Sequence, residues 1–215
     1  MARSFSDAER RDIAEKLLTA GREMFKRYGL KKTSIEDLTG AAGIAQGSFY
    51  LFYESKEELF FEILDAEERA LRERIARMVA ESIPDRRGFK RVITSAFQMM
   101  RENAIIRQVL VDGEYSRFFS RIREERLKVH LEEESAFIQT LITQMQTDGV
   151  IRKVTPDVLT GLFFGLFLLG EQRDRIGAEV FDHVIDVLID ALCDGLVTRG
   201  EPNISAGNAS YLVEE

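Results

Sequence analysis

The sequence predicts an all-α protein of about nine helices, with a small three-helix unit at the N-terminus and a larger helical body behind it. Three observations carry this expectation. Apolar residues recur at spacings of three and four along most of the 215-residue chain, the period of helices with one buried face. No stretch shows the strict apolar–polar alternation of a strand. The breaks between periodic stretches carry Gly, Pro, Asn or Asp, as at Gly29, Gly43, Pro84, Asp112-Gly113 and Asp148-Gly149.

Taken in order, Ser6 to Tyr28 forms the first helix. Ser6 caps it, Ile13, Leu17, Ala20, Met24 and Phe25 share one face, and Gly29 stops it. Gly29-Leu30-Lys31-Lys32 is then a short loop, and Arg3 to Phe5 a terminal arm. From Thr33 to Leu59 the chain reads TSIEDLTGAAGIAQGSFYLFYESKEEL: two short helices joined by a tight turn, then the start of a third. Ile35, Leu38, Ala41, Ala42, Ile44, Phe49 and Phe52 are spaced to meet over one small core. Gly43 tolerates the positive φ of a sharp turn, and Ala41 and Ala42 are small enough for a close crossing. Thr33 and Ser34 cap the first of the two, and Thr33-x-x-Glu36 has the form of a capping box. This is a helix-turn-helix.

With Phe49 and Phe52 turned inward, the second helix presents Gln46, Gly47, Ser48, Tyr50, Leu51 and Tyr53. That surface suits double-stranded DNA. Gln46 can bond base edges, Ser48 and Tyr50 can donate to phosphate or base, Leu51 can meet a thymine methyl, and Gly47 lets the backbone approach. Thr33 and Ser34 stand at a helix start, where backbone N–H groups favour phosphate, and Lys56 is expected to ion-pair with another phosphate.

The stretch resembles the DNA-binding segment of the tetracycline-repressor (TetR) family of bacterial transcription regulators. The matching residues are Thr33-Ser34-Ile35, Leu38, Ala42-Gly43-Ile44, Gly47, Phe49-Tyr50 and Ser55-Lys56-Glu57-Glu58-Leu59. It departs at Thr39, where Ala is usual, at Ala45, where Ser is usual, and at Leu51-Phe52-Tyr53, where a polar residue, an aromatic and Phe are usual. These swaps leave the fold expectation unchanged and bear on the contacts made at Ala45 and Leu51, hence on the operator sequence. The resemblance implies a homodimer that represses transcription from an operator, with dimerisation and a small-molecule inducer pocket in the C-terminal part.

The body begins with a long helix from Lys56 to about Ile83, ended by Pro84. Further helices are expected over Gly88 to Asn103, Ala104 to Val111 and Tyr115 to Thr147. Val158 to Gly170 is apolar on all sides, and the helix from Ala178 to Thr198 carries an unusually wide apolar stripe. Two such helices meeting their copies would make a four-helix dimer interface through Leu162, Leu166, Leu169, Val184, Leu188, Ala191 and Leu192. The alternative is that they are central core helices of a monomer. Phe97, Met100, Phe118, Phe119, Phe137, Phe163 and Phe167 could line an apolar cavity or simply pack the core. If the pocket exists, its ligand should be apolar.

Charge and composition narrow the function. The net charge is −7, yet residues 1–60 carry ten basic and ten acidic side chains, so all the acidity lies in the body. A neutral head still leaves Arg3, Arg10, Arg11, Lys31 and Lys32 to form a local basic face. Met1 to Arg11 is polar rather than a signal peptide, and the longest uncharged apolar run, Val158 to Gly170, is 13 residues, short of a membrane span. With one cysteine, Cys193, no intrachain disulfide is possible, and a cytoplasmic protein is expected. Asp182, Asp186, Asp190 and Asp194 recur every four residues and read as a solvated acidic face rather than a metal site. No cofactor motif, phosphate loop or nucleophile elbow occurs, so an enzyme is not expected. The expected divisions are a DNA-binding head over 1–55, a dimerisation and ligand-binding body over 56–200, and a flexible tail over 201–215. The competing reading is a helical ligand- or partner-binding protein that no longer reads DNA.

Overall fold

Helix α1 (Asp7–Lys32) begins at a capping box: the Glu9 N–H donates to Ser6 Oγ at 3.3 Å and the Ser6 N–H to Glu9 Oε2 at 2.8 Å. It belongs to a computed structural model that describes residues 5–82, 85–111 and 118–198. Gly29 kinks α1 rather than ending it, with φ 81° and ψ 162°. The Leu30 N–H displaced by the kink donates to Gln108 Oε1 at 2.8 Å, and the Gln108 amide donates back to the Phe25 carbonyl at 2.9 Å. A side chain from the body thereby completes the end of the first helix.

Helix α2 (Ile35–Ala42) ends at Gly43, whose φ of 70° and ψ of 32° lie in the left-handed region that only glycine enters without strain. The capping box at its start is Ser34 with Asp37, not Thr33 with Glu36: Ser34 N and Oγ donate to Asp37 Oδ2 at 2.9 and 2.6 Å. Helix α3 (Gln46–Phe49) is a single turn, with Tyr50 as its C-cap. Helix α4 (Lys56–Ser82) starts where Ser55 Oγ accepts from the Glu58 N–H. It crosses α1 at Gly21, where a Cβ would lie 2.9 Å from Ile63 Cδ1. A side chain at that position would have to displace the end of the Ile63 side chain.

Helices α5 (Arg86–Glu102) and α6 (Ala104–Val111) are separated by Asn103, whose side-chain oxygen accepts from the Ile105 and Ile106 N–H groups. Helix α7 (Glu124–Thr147), α8 (Pro156–Gly170), the one-turn α9 (Arg173–Ile176) and α10 (Phe181–Leu196) complete the described chain. One antiparallel bridge, Ile151 with Val197, ties the start of the α7–α8 link to the end of α10. The break at Pro84, the one at Asp112-Gly113, the expected helix start at Tyr115, the arm residues Arg3 and Ser4, and the tail all lie outside the described residues.

Two hydrophobic cores organise the molecule. The first joins Leu17, Phe25, Leu38 and Phe49 of the head to Phe60, Ile63 and Leu64 of α4, Ile105 and Ile106 of α6, and Phe118, Phe119 and Ile122. The second joins Phe89 and Phe97 of α5 to Ile142 and Met145 of α7, Leu159 and Leu166 of α8, and Phe181, Ile185 and Ile189 of α10. Helix α4 runs from the first toward the second, where Val79 packs against it. Each fully buried Phe or Leu contributes about 1.5–3 kcal/mol.

The aspartate stripe on α10 is not merely solvated. Asp186 and Asp190 pair with Lys90 Nζ, each at 2.8 Å, Asp190 and Asp194 pair with Arg86 at 2.9 and 2.6 Å, and Asp182 pairs with Arg173 at 3.2 Å. Bonds from Lys90 and then Arg86 hold the Asp190 carboxyl below its ordinary range. The four-residue period aligns Asp186, Asp190 and Asp194 with two cations, Arg86 and Lys90, one turn apart on α5.

Candidate nucleic-acid interface

The one-turn helix α3 is held in place by a single anchor. Phe49 is fully buried, with its ring centroid 5.6 Å from that of Tyr50 and 5.8 Å from that of Tyr53. Around it Tyr50 is 58% and Leu51 54% exposed, Gln46 and Gly47 are exposed and Ser48 is half-buried. A Cβ at Gly47 would meet no atom of the chain within 4 Å, so the space before that backbone is open. Arg10 of α1 braces the end of this turn: its Nη2 donates to the Leu51 carbonyl at 3.4 Å and its guanidinium lies 5.6 Å from the centre of the Phe52 ring. Phe5 packs against the same ring. Sequence reading counted Arg10 only as surface charge; nothing in its position showed the contact across to Leu51.

Three residues expected to touch DNA are turned elsewhere. Tyr53 is 7% exposed and belongs to the first core, where burial and then Glu62 raise its phenol above the usual range. Thr33 is buried and its hydroxyl donates to the Gly29 carbonyl at 2.8 Å, closing the kinked end of α1. Lys56 Nζ donates to the carbonyls of Thr33 at 2.7 Å, Leu30 at 2.8 Å and Lys31 at 3.4 Å. An ammonium at the carbonyl end of a helix satisfies orphaned acceptors there, and Lys56 is spent on that role. Ser34 is exposed, but its hydroxyl is engaged by Asp37, whose carboxyl that bond lowers from its ordinary value.

The head is clamped from behind by arginines. Glu57 and Glu58, which open α4, are buried; Arg121 binds Glu57, Arg126 Nη1 binds Glu58 Oε2 at 2.5 Å, and the Arg123 N–H donates to Glu58 Oε1 at 3.0 Å. The Arg126 guanidinium also covers the Phe61 ring. These contacts join residues more than 60 positions apart, and the Ser55-Lys56-Glu57-Glu58-Leu59 run gave no sign of its partners.

In the body, Leu166 is 5% exposed and packs into the second core, so it is not available to a partner. The other six residues expected at a dimer interface have outward exposure: Leu162, Leu169 and Ala191 are exposed, and Val184, Leu188 and Leu192 half-buried. Sequence reading missed Val158, Phe164, Leu168 and Val187 on α8 and α10, all exposed, Val187 by 50%. Side-chain direction on a helix that is apolar all round is set by its neighbours, which the pattern does not show. The phenylalanines expected to line one cavity are divided. Phe118 and Phe119 are in the first core, Phe97 is in the second with Phe163 against it, Phe167 is buried, and Met100 and Phe137 are half-buried. A groove of about 530 Å³ runs instead along α7, beside Leu127, Leu131 and Ala136, and a cleft of about 210 Å³ lies between Tyr50–Glu54 and Arg123 and Arg126. Among the described residues no helix is long and apolar enough to cross a membrane.

Comparison with known proteins follows the same line. The family described as bacterial regulatory proteins, tetR family, matches residues 17–63, from the middle of α1 through α2 and α3 into α4. The HTH-type transcriptional repressor DhaR of Mycobacterium sp. strain GP1 is 24% identical over 187 residues, covering 85% of this chain and 93% of that protein. The HTH-type transcriptional repressor KstR2 of Rhodococcus jostii is 30% identical over 82 residues, 38% of this chain and 40% of that one. Among solved structures, a TetR-family transcriptional regulator of Pectobacterium atrosepticum superposes with a TM-score of 0.63 at 22% identity, covering 87% of this chain and 94% of that one. A TetR-family transcription regulator of Marinobacter aquaeolei does so with a TM-score of 0.60 at 19% identity, covering 90% of this chain and 100% of that one.

Proposed function

The chain belongs to the TetR family of bacterial regulatory proteins, non-enzymatic regulators that bind DNA, and from that premise we propose that it is a repressor which binds a palindromic operator as a homodimer and is released by an apolar small molecule. The observation that carries the DNA-reading part is the exposed turn Gln46–Leu51, held on the buried Phe49 with open space before Gly47. Gln46, Ser48, Tyr50 and Leu51 read bases or phosphates, and Ser34 and Gly47 line the approach. A cytoplasmic location fits this role.

The homodimer reading rests on the outward apolar side chains of α8 and α10. Val158, Leu162, Leu168 and Leu169 on one helix, Val187 on the other and Val180 at its N-cap are exposed, and a Cβ at Gly161 or Gly165 would meet nothing of the same chain. A copy of the same pair covers this face and completes a four-helix interface. Two heads then read half-sites about 34 Å, one turn of DNA, or a multiple of it apart. Residues 1–55 supply the reading head and 56–200 the dimerising and ligand-binding body. A ligand that binds more tightly when the heads are mis-spaced draws the dimer off its operator, with α4 carrying the movement.

The test is selection of genomic fragments by the purified protein at near-physiological salt, followed by sequencing, with the Gln46→Ala and Tyr50→Ala variants beside it. The expected result is a shared palindrome near a promoter that both variants bind more weakly. Weak, salt-sensitive binding with no shared sequence would instead identify a ligand- or partner-binding protein that has lost specific reading.

A further inference from the structure

The regulator reading makes no use of a buried ionisable cluster where α4 passes α7. His130 of α7 is 4% exposed, its ring against Phe61 and stacked with Phe119. Each of its nitrogens faces a carboxylate of α4: Nδ1 lies 3.0 Å from Asp65 Oδ1 and Nε2 lies 3.3 Å from Glu68 Oε2. The two carboxylates flank opposite sides of the ring and do not converge on a common point, as a metal would require. Glu68 Oε2 is buried and accepts no hydrogen bond, and Arg72 Nη1, one turn along, is likewise buried without a partner. An unpaired buried carboxylate oxygen facing a ring nitrogen calls for a proton between them.

The surrounding charge favours keeping that proton. From α4, Asp65 pairs with Arg69 at 2.8 Å, and Arg72 stands beside Glu68; from α7 come Glu133, 3.8 Å from Arg69, Glu134, and Arg126 over the Phe61 ring. From the α5–α6 side, Asn103 binds Glu67 on the neighbouring face of α4, while the Arg101 guanidinium is spread over Phe97 and Phe181. Burial, with Glu134 and Asp65 adding and Arg72 opposing, pushes the Glu68 carboxyl up to about 8.

We propose that Asp65, His130 and Glu68 form a proton-held catch between α4 and α7, closed while Glu68 keeps a proton facing the His130 ring and opened when alkaline pH removes it. In the closed form Nδ1–H donates to Asp65, and the carboxyl O–H of Glu68 donates to Nε2. When that proton passes to solvent, a ring lone pair faces a carboxylate across 3.3 Å, with the Asp65 carboxylate on the other side. Two acceptors repel, and α4 loses this hold on α7 at the level of His130, while Arg126 still grips Glu58 nearer the start of α4.

Amide hydrogen exchange on the full-length protein tests this, followed over residues 61–72 and 124–134 from about pH 6.5 to about pH 9 and corrected for intrinsic rates. Below about pH 8 the open form releases a proton that the closed form keeps, so the open population grows by up to about tenfold per unit, and it levels off once the closed form has lost the proton too. The wild type should lose protection in that proportion. Glu68→Gln, which keeps a donor toward Nε2 and cannot titrate, should hold its protection, and the exposed-site control Glu132→Gln should follow the wild type. Asp65→Asn, which withdraws a charge that raises Glu68, should bring the levelling-off to lower pH and gives a second reading if Glu68→Gln misfolds. Equal loss in wild type and Glu68→Gln, no loss in wild type, or an unmoved levelling-off in Asp65→Asn would overturn the catch. The experiment uses no DNA, so its result is separate from the fate of the operator reading.

Discussion

The two ends of the body hold their neighbours with charge in opposite ways. Beneath the head, Glu57 and Glu58 are buried and gripped by Arg121 and Arg126. At the far end, Arg86 and Lys90 of α5 grip Asp186, Asp190 and Asp194 of α10 in the open, every side chain of the set more than a quarter exposed. The bond lengths are alike, near 2.5–2.9 Å. The surroundings differ. A buried carboxylate has given up its water and depends on its partner, whereas an exposed one exchanges a partner for solvent at little cost. The head–body junction therefore depends on buried charge as well as on the first core, while α5 and α10 are held by the second core beneath their ion pairs.

The largest effect should follow from breaking the buried grip. Arg126→Ala leaves Glu58 buried without its strongest counter-charge and uncovers Phe61; the Arg123 N–H at 3.0 Å and the Arg123 guanidinium at 3.7 Å remain. A loss of about 3 kcal/mol is expected, and urea unfolding at neutral pH measures it. Glu58→Gln with Arg126→Met should recover much of that loss, because removing both charges removes the unpaired one. If Arg126→Ala costs no more than an exposed pair, burial is not what distinguishes the two ends.

Glu68 sharpens the comparison, since it is a buried carboxylate without a firm partner. Its folded carboxyl keeps a proton up to about pH 8, while the unfolded chain releases it near the ordinary value of 4.5. Between those values the folded state binds the extra proton, so stability falls as pH rises from about 4.5 to about 8 and levels off above. Glu68→Gln should flatten that slope and add about 2 kcal/mol at and above pH 8, the cost of an unsatisfied buried charge after relaxation. In a chain of this size that is roughly 4–8 °C in the midpoint, read by thermal melts across the pH range. An unchanged slope would show that Glu68 does not titrate in this window.

The sequence made one class of feature legible and hid another. Ser6, Gly43 and the apolar spacing of Ile13, Leu17, Leu38 and Phe49 marked helices, turn and core because these are local signals, fixed by residues within a turn of each other. Thr33, Tyr53 and Lys56 were misplaced because their partners come from packing: a kinked helix end for Thr33 and Lys56, and Glu62 with the first core for Tyr53. The same limit explains Leu166, which differs from Leu162 only in which neighbour its face of α8 meets. Arg121, Arg123 and Arg126 gave no local pattern at all. Their role appears only when α7 is brought against the first turn of α4.

The smallest effect belongs to the exposed ladder, and it decides whether that ladder is structural or ornamental. Arg86→Ala removes two of the ladder's contacts, but Lys90 still binds Asp190, and Phe89 and Ile93 of α5 stay packed on Ile185 and Ile189. Exposed carboxylates regain hydration where a partner is lost, so little stability should be lost, and the Asp190 carboxyl, lowered by Lys90 first and Arg86 second, should move only part of the way back up. Denaturation of wild type and Arg86→Ala in low and high salt checks this, because salt screens exposed pairs and leaves buried contacts nearly untouched. Coincident curves in high salt, with a slight separation in low salt, are expected. A large, salt-independent loss would mean that the ladder holds α10 against α5 as firmly as Arg126 holds the head.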